Sequence, residues 1–298
     1  LMNERTRGIL LMLASVLLFT VVHAMVKYLG GSVSSWAKAF YRSILALVSL
    51  LAWFLIRRNP FRVYNLPVLV IRGVVGGLAL AFSFWTVELK GLSSSIFYLY
   101  SYPIFAPIVT SLFYREPFEK TLIVPLLVSV IGIFFLAGHP GSFSFGFGDL
   151  TGILSGVLGG IAIASVREGR KKNESDIVYL SFIVFSIPVT TAGILLIPGE
   201  SFIIPQAPRP DLAAIWISLM VLGTAATFAQ MSMTEAYKVL TTQTGPLISL
   251  LQVPLTALIA FLLFNEKPTW SVLTGGALIL LGAALSIYMR RSRGIRPR

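Results

Sequence analysis

Two stretches of the sequence that begin 150 residues apart decide the fold. Residues 102–117 read YPIFAPIVTSLFYREP, and residues 252–268 read QVPLTALIAFLLFNEKP. Each is an apolar run with a proline near its start, and each closes in a turn that contains a glutamate. In both copies a glycine follows that glutamate after 16 residues, at Gly132 and at Gly282. Similar residues in the same order and at nearly the same spacing predict an internal repeat.

Apolar runs of this kind recur along the whole chain. Of the 298 residues, 56% are hydrophobic and only 12% are charged, whereas a soluble domain carries about 25% charged residues. A bilayer core takes about 20 apolar helical residues per crossing. The chain has ten such stretches, at 8–28, 36–56, 66–88, 93–114, 120–138, 149–166, 176–197, 212–235, 242–264 and 269–289. Because the runs are continuous and longer than barrel strands, they predict an all-α polytopic membrane protein with ten transmembrane helices.

The basic residues are distributed unevenly between the loops. The chain has 24 Lys and Arg against 12 Asp and Glu, a net charge of +12. With the N-terminus in the cytoplasm, 17 basic residues fall on the cytoplasmic side and five outside, while Arg42 and Arg72 lie within spans. The excess of positive charge on the inner side predicts a multi-pass protein with both termini cytoplasmic. Short basic clusters between apolar runs do not form a phosphate-reading face, so we expect no nucleic acid partner.

The ten spans divide into two sets of five, with expected domains at residues 1–140 and 141–298. Five is an odd number, so the second copy must enter the membrane in the inverted orientation. The basic residues agree, because they put the loop at Glu116 in the cytoplasm and the loop at Glu266 outside. Inverted repeats are typical of secondary transporters, in which one half rocks against the other around a site near the midplane.

This arrangement resembles the drug/metabolite transporter superfamily, and more narrowly its EamA-type ten-helix members. The resemblance is carried by the proline-bearing fourth helix, glutamate turn and glycine-bearing fifth helix of each half, together with residues 40–43, FYRS, and Arg72-Gly73. The second copy departs from the pattern, since Pro254 precedes its glutamate by 12 residues and Pro103 by 13. The resemblance implies alternating access, a cavity lined by the first four helices of each half, peripheral fifth and tenth helices, and a bacterial-type inner membrane.

Arg42 is the clearest candidate for substrate binding, because a charge at the bilayer centre costs at least about 2.5–3.5 kcal/mol. It follows Lys38 by four residues, and His23 and Lys27 share that spacing on span one, so each pair lies on one helix face. If the two faces converge, they form an electropositive pocket for a carboxylate or phosphate. The alternatives are that both lysines merely reach the membrane surface, and that Arg42 pairs with Glu88 or bonds to a broken helix.

Aromatic, amide and hydroxyl side chains form the second group of candidate substrate-binding residues: Trp85, Tyr98, Tyr102, Gln230, Ser249 and Gln252. The aromatic rings can stack on a planar substrate or meet a cation, or they can serve packing and the interfacial belt. Ser249 and Gln252 form a polar stripe on span nine. Because lipid cannot satisfy polar groups, we expect such stripes to face inward.

Three more charged residues are candidates for gating or proton coupling: Glu88, Glu235 and Arg72. The two glutamates lie near opposite membrane faces, as inverted equivalents should, and the alternative is an ion pair at a helix end with Lys90 or Lys238. Arg72 lies nearer the cytoplasmic end of span three, where it can be a gate or an anchor. A proton is one candidate coupling ion.

These observations predict a secondary active transporter that moves a small metabolite with an anionic group, such as an amino acid or organic acid, with export favoured. Import of a vitamin or nucleotide-like cofactor and lipid flipping or scrambling are the alternatives. We expect no enzyme, because no paired carboxylates, metal-ligand cluster or Ser/His arrangement lies in one membrane layer. The chain contains no cysteine. It also has no phosphate-binding loop of the kind that ATP-driven transporters use, so we do not expect ATP to drive transport. Expected partners are the substrate and the bilayer, without cofactor or metal, for a monomer or homodimer.

Overall fold

The computed structural model describes residues 3–57, 62–115, 120–136, 146–202, 212–265 and 270–291. Within these ranges the regular structure is helical. The α-helices are α1 Glu4–Leu29, α2 Ser35–Arg57, α3 Leu66–Leu99, α4 Tyr102–Tyr114, α5 Ile123–Leu136, α6 Phe147–Gly169, α7 Ser175–Leu196, α8 Leu212–Ala236, α9 Thr244–Ser249, α10 Gln252–Phe264 and α11 Trp270–Arg291.

The described helices account for the ten predicted spans. Seven helical segments are long and apolar enough to cross a membrane, and one of them, Thr244–Phe264, comprises α9 and α10 with the break between them. Three shorter apolar helices, Tyr102–Tyr114, Ile123–Gly132 and Leu273–Gly282, complete the ten. The prediction of an all-α polytopic membrane protein is confirmed.

Helix α3 is longer than one span, and it covers the predicted third span and the start of the fourth. Thr86 Oγ1 lies 3.0 Å from Thr151 Oγ1 in the first turns of α6. Tyr98 packs directly on Gly152 at the same level, where a Cβ atom would lie 2.4 Å from its ring. A straight helix would hold Thr86 and Tyr98 about 18 Å apart. The helix must therefore bend back between them, so that its last residues join α4 in the fourth crossing.

The two halves of the chain run in opposite directions. Helices α2 and α7 are the second helices of their halves, and they pack side by side. Trp36 at the start of α2 packs on Gly193 near the end of α7, and Ser186 Oγ donates to Ser43 Oγ over 3.0 Å. The contact positions rise along one helix as they fall along the other, so the pair is antiparallel. This confirms the inverted repeat that an odd number of helices requires.

Helices α4 and α10 preserve the repeat most closely. Each spans 13 residues, and both are followed by a residue with left-handed backbone geometry, Arg115 (φ 56°) or Asn265 (φ 54°). The fifth helices, α5 and α11, pack on each other through Gly132 and Gly282. The expected domain boundary between residues 140 and 141 lies outside the described residues.

The candidate site lies between the two ends of the bundle. We call one end the N-terminal face, where α1 and α3 begin and α6 and α8 end. The other end is the opposite face, where α1 and α7 end and α2 and α6 begin. Gly8 of α1 packs against Val239, just beyond the end of α8, at the N-terminal face. At the opposite face, Ser34 Oγ donates to the Ser201 carbonyl oxygen over 3.3 Å.

Candidate functional site

A cavity of about 160 Å³ lies inside the bundle, between these two faces. Its polar lining is Ser15, His23, Arg42, Arg72, Ser83, Tyr100, Tyr102, Gln230, Ser249 and Gln252. The lining residues come from α1, α2, α3 and α4 in the first half, and from α6, α7, α8, α9 and α10 in the second. These are the first four spans of each half, and among the described residues α5 and α11 contribute none.

Two buried arginines carry the positive charge of the cavity. Arg42 is 2% exposed and Arg72 is 4% exposed, and both line the cavity. Their Cζ atoms lie 5.3 Å and 4.6 Å from the centre of the Phe182 ring on α7. The described lining contains no aspartate or glutamate. The cavity therefore holds two cations whose immediate neighbour is the electron-rich face of one ring.

The guanidinium groups keep unused hydrogen-bond donors. Nε and Nη1 of Arg42 and Nε of Arg72 are buried and have no hydrogen-bond partner in the described structure, and the same is true of Nε2 of Gln230. A buried donor without an acceptor costs about 1–3 kcal/mol, and more for a charged group. Unsatisfied donors at a cavity wall are therefore a place where an anionic ligand would be stabilised.

A glycine gives Arg72 its position. Gly76 lies one turn further along α3, and a Cβ atom there would lie 2.1 Å from Nη1 of Arg72. The guanidinium thus lies across the bare backbone of its own helix, and this brings it to Phe182. The sequence suggested an anchor or gate near the membrane surface, whereas the structure places Arg72 with Arg42 at the cavity.

His23 forms the link between α1 and α10. Its Nδ1 atom lies 2.8 Å from the Phe19 carbonyl oxygen and 2.8 Å from Gln252 Nε2. A protonated Nδ1 donates to the carbonyl, whereas an unprotonated Nδ1 accepts from the amide, so the two bonds need different states of the ring. Ser249, Gln252 and Tyr102 also line the cavity, near the breaks that precede α4 and α10.

The electropositive pocket expected from four basic side chains contains only two of them, His23 and Arg42. Lys38 is 2% exposed but lies outside the cavity lining, because its Nζ donates to the Gly30 carbonyl oxygen over 2.6 Å and to Glu88 Oε1 over 3.2 Å. Lys27 Nζ lies 4.8 Å from the centre of the Phe264 ring. The lysines thus bind neighbouring protein groups near the opposite face.

Two of the predicted aromatic residues also lie outside the cavity lining. Trp85 packs edge-on against Trp36 and Phe147, with centroid distances of 5.9 Å and 5.0 Å. Tyr98 donates a hydrogen bond to Asp149 at the start of α6. Both residues join helices near the opposite face, which is the packing alternative for aromatic side chains.

Glu88 and Glu235 form ion pairs at opposite ends of the bundle. Glu88 pairs with Lys38, as described above, and the side chain of Lys90 lies outside the described part. Glu235 Oε2 accepts from Arg170 Nη2 over 2.7 Å, and its other oxygen lies 4.0 Å from Arg7. For Glu235 the partners are distant in sequence, whereas the sequence had suggested the nearby Lys238.

Each end also has contacts between the halves. At the N-terminal face, the Tyr64 amide donates to Asn173 Oδ1 over 2.7 Å, and Asn173 Nδ2 donates to the Tyr64 carbonyl oxygen over 2.9 Å. At the opposite face, Tyr41 Oη donates to the Phe202 carbonyl oxygen over 2.7 Å. The cavity therefore lies between two bonded ends.

Sequence reasoning missed Phe182, Tyr100, Ser15 and Ser83, which all line the cavity. In the sequence each is an ordinary member of an apolar run, without a charge or a stripe to mark it. For Phe182 the only signal comes from the structure, where two arginines meet its ring.

Comparison with known proteins extends this description. The model of the EamA-like transporter family matches the chain twice, over residues 6–138 and 146–288. The chain belongs to the EamA-like transporter family. The resemblance to the drug/metabolite transporters is thereby confirmed, since curated relatives of this EamA chain include transporters named for small molecules.

Several curated relatives match most of the EamA chain. The pseudopaline exporter CntI of Pseudomonas aeruginosa (strain UCBPP-PA14) is 22% identical, covering 92% of this chain and 93% of its own. The S-adenosylmethionine uptake transporter of Rickettsia prowazekii (strain Madrid E) is 25% identical, with 95% and 93% covered. An uncharacterized transporter of Helicobacter pylori (strain J99) is 27% identical, with 77% of each covered.

A solved crystal structure of another protein has the same fold. It superposes with a TM-score of 0.77 at 18% identity, and the match covers 97% of this chain and 99% of the other. The EamA chain is thus a multi-pass membrane protein whose family and relatives are transporters.

Proposed function

We propose that this chain is a secondary active exporter of a small metabolite with an anionic group, such as an amino acid or organic acid. The observation that carries the proposal is the pair Arg42 and Arg72, two buried guanidinium groups with unused donors at a cavity whose described lining has no acidic residue. Membrane proteins keep such costly charges where they bind a substrate, an ion or each other. Two cations do not stabilise one another, so an anion is the partner that the cavity chemistry favours.

The size of the cavity supports a small substrate. A cavity of about 150 Å³ accommodates a benzene-sized molecule, and this cavity has nearly the same volume, about 160 Å³. An amino acid or organic acid of a few carbon atoms fits this space. A nucleotide-like cofactor would need a considerably wider conformation.

Alternating access is the mechanism that the inverted repeat supports. The two halves meet around the cavity, and hydrogen bonds join them at each end, between Tyr64 and Asn173 at the N-terminal face and between Tyr41 and Phe202 at the opposite face. The ion pairs Lys38–Glu88 and Arg170–Glu235 lie beside these contacts, each within one half. Opening one end while the other stays bonded would expose the same cavity to each side in turn. In this scheme residues 1–140 and 141–298 are the rocking units. Glu88 and Glu235 act as gate residues by fixing helix ends of their own half at the place where the two halves meet.

The orientation proposed is that of the basic loops. The N-terminal face, with Arg7, Arg167, Arg170 and Lys238, would be cytoplasmic in a bacterial-type inner membrane. Because the chain has no cysteine, single cysteines introduced at each face can be labelled from outside the cell with an impermeant reagent. Labelling at the N-terminal face of intact cells would overturn this orientation.

Proton coupling through His23 completes the proposal. Its Nδ1 atom has a carbonyl acceptor on α1 and an amide donor on α10, so gain of a proton would exchange one bond for the other. Arg42 and Arg72 already place two positive charges at this cavity, so a third charge on His23 needs an anion beside it. Binding of an anion and of a proton would then support each other.

Import of a nucleotide-like cofactor is the second candidate. The relatives named S-adenosylmethionine uptake transporter favour it, since one of them matches 95% of this chain. The cavity aromatics Tyr100, Tyr102 and Phe182 could stack on a planar base. Against it stands the cavity volume given above.

The deciding experiment is transport by the purified chain in proteoliposomes. A panel of organic acids, amino acids and S-adenosylmethionine is loaded on one side or the other, with and without a pH gradient. We expect flux of a small acid that a pH gradient accelerates. Flux of S-adenosylmethionine alone would favour the second candidate, and absence of all carrier-dependent flux would contradict both.

A further inference from the structure

We infer that the substrate of this cavity is a compact dianion, a dicarboxylate or a phosphate monoester, bound between Arg42 and Arg72. The inference rests on the proposed transport function and narrows its substrate class. It follows from the charge of the cavity, the arrangement of its donors and the chemistry of its remaining lining.

The charge of the cavity is the first argument. Arg42 and Arg72 contribute two positive charges, and the described lining contains no carboxylate. Glu88 and Glu235 lie outside it and are engaged by Lys38 and Arg170. A substrate with one negative charge would leave one buried guanidinium uncompensated in a medium of low dielectric constant, which is costly. Two negative charges neutralise the site.

The arrangement of the donors is the second argument. Both guanidinium carbons lie within 5.3 Å of the same Phe182 ring centre, so they are less than twice that distance apart. A ring face attracts the charge but accepts no strong hydrogen bond, and Nε and Nη1 of Arg42 and Nε of Arg72 remain unsatisfied. Carboxylate and phosphate groups match the guanidinium fork with paired oxygens. A compact molecule with acidic oxygens at both ends, or around one phosphorus atom, reaches both forks.

The rest of the lining separates acids from amino acids. Ser83, Gln230 and Gln252 are neutral, so no described lining residue would neutralise the ammonium group of an amino acid. That ammonium would instead lie in a small cavity with two guanidinium groups of like charge. The cavity therefore favours an acid without an amino group over a zwitterion.

Matched ligands test this inference by calorimetric binding to the purified full-length chain in detergent. Succinate is compared with succinamate, which has the same length and one charge fewer, and glycerol phosphate with its methyl ester. We expect one dianion to bind at least about tenfold more tightly than its matched monoanion, because each charge-assisted bond contributes that much or more. The two pairs of ligands also separate the carboxylate source from the phosphate source.

The variant R72Q should reduce that ratio towards one, chiefly by weakening the dianion, and R72K should keep most of it. The exposed Arg62 provides the matched control, since R62Q removes the same charge outside the cavity and should leave the ratio unchanged. If R72Q does not fold, R42Q makes the same test from the other side of Phe182.

Three outcomes would overturn the inference: equal binding of dianion and monoanion, tighter binding of alanine than of either acid, or no binding of any dianion. Flux measurements keep this result apart from the proposed function. Transport of monoanions and dianions at equal rates would support the proposed transport function and contradict the preference for a dianion. Tight binding of a dianion without flux would support the preference and contradict the transport function.

Discussion

The two halves of this chain share a backbone plan but differ in the chemistry that they bring to the cavity. The first half contributes both arginines and His23, whereas the second contributes Phe182 and the amides of Gln230 and Gln252. Helices α2 and α7 illustrate the difference, because they are antiparallel equivalents that pack side by side, with Arg42 on one and the ring it faces on the other.

This difference separates two requirements of a transporter. The repeated backbone supplies two units that can rock about a common centre, and that property depends on helix lengths and breaks rather than on charge. Binding needs a charge pattern that fits the substrate, and both cations of that pattern can come from one half. We therefore expect residues of the first half, which carries the arginines, to contribute most of the substrate affinity. Residues of the second half should contribute less.

The largest expected effect comes from removing a charge of the first half. R42A should lower transport by about 10- to 100-fold, because a buried charge-assisted bond to substrate contributes about 1.5–3 kcal/mol. The counterpart in the second half, Q252A, should lower it only by a few fold, since a neutral bond contributes about 1 kcal/mol. Initial rates of substrate flux in proteoliposomes measure both.

Stability distinguishes a binding role of Arg42 from a structural one. A charge held without a partner in a membrane protein is destabilising, so R42A should unfold at the same denaturant concentration as the parent chain or a higher one. If R42A unfolds more readily and Q252A lowers transport equally, the contrast between the halves is lost.

The sequence could predict the fold because its signals are local. Ten apolar runs, a 150-residue repeat and the odd helix count are visible without any contact between distant residues, and together they predict ten spans in two inverted sets. The predicted third and fourth spans, 66–88 and 93–114, already imply a reversal between them. What the sequence did not show is that this reversal is helical, so that α3 continues to Leu99. Residues 89–99 contain no proline that would end the helix, and the glycine and serines at 91–95 are residues at which a helix can bend.

The candidate site was less predictable, because helical spacing shows which residues share a face of a helix but not which of them reach the cavity. Lys38 and Arg42 share one face of α2, yet Lys38 bonds to Glu88 near the helix start and only Arg42 reaches the cavity. Arg72 joins it because Gly76 leaves room for the guanidinium. Phe182 meets the two arginines because α7 packs against α2 and α3. No residue pattern in α7 predicts that packing.

A methyl group at Gly76 gives the next largest effect. The Cβ atom of G76A would lie 2.1 Å from Arg72 Nη1, so the guanidinium must leave Phe182 while its charge remains. We expect transport to fall about tenfold through weaker substrate binding, less than for loss of a charge. The KM for the transported acid should rise with little change in maximal rate.

Gly31 supplies the control for added volume, because nothing lies within 4 Å of a Cβ atom at that position. G31A should transport as the parent chain does. An unchanged KM in G76A would mean that Arg72 needs no fixed position, and that the first half acts through Arg42 alone.

The smallest effect should come from breaking the two ion pairs. These variants compare the two ends of the bundle and leave the charges at the cavity unchanged. Glu235 is 25% exposed and accepts from Arg170 over 2.7 Å, whereas Glu88 is 33% exposed and accepts from Lys38 over 3.2 Å. E235Q should therefore lower the free energy of unfolding by about 1–2 kcal/mol, and E88Q by about 1 kcal/mol or less. Chemical denaturation in detergent measures both changes.

A cysteine in the cavity shows from which face the cavity is open in each variant. With S15C as the only cysteine, E235Q should increase its labelling by an impermeant reagent from the N-terminal face, and E88Q from the opposite face. Each glutamate would then help to keep one end closed by fixing its ion-pair partner in the same half, as inverted equivalents should. Faster labelling from the same face in both variants would mean that only one end opens, and the rocking of two equivalent halves would have to be abandoned.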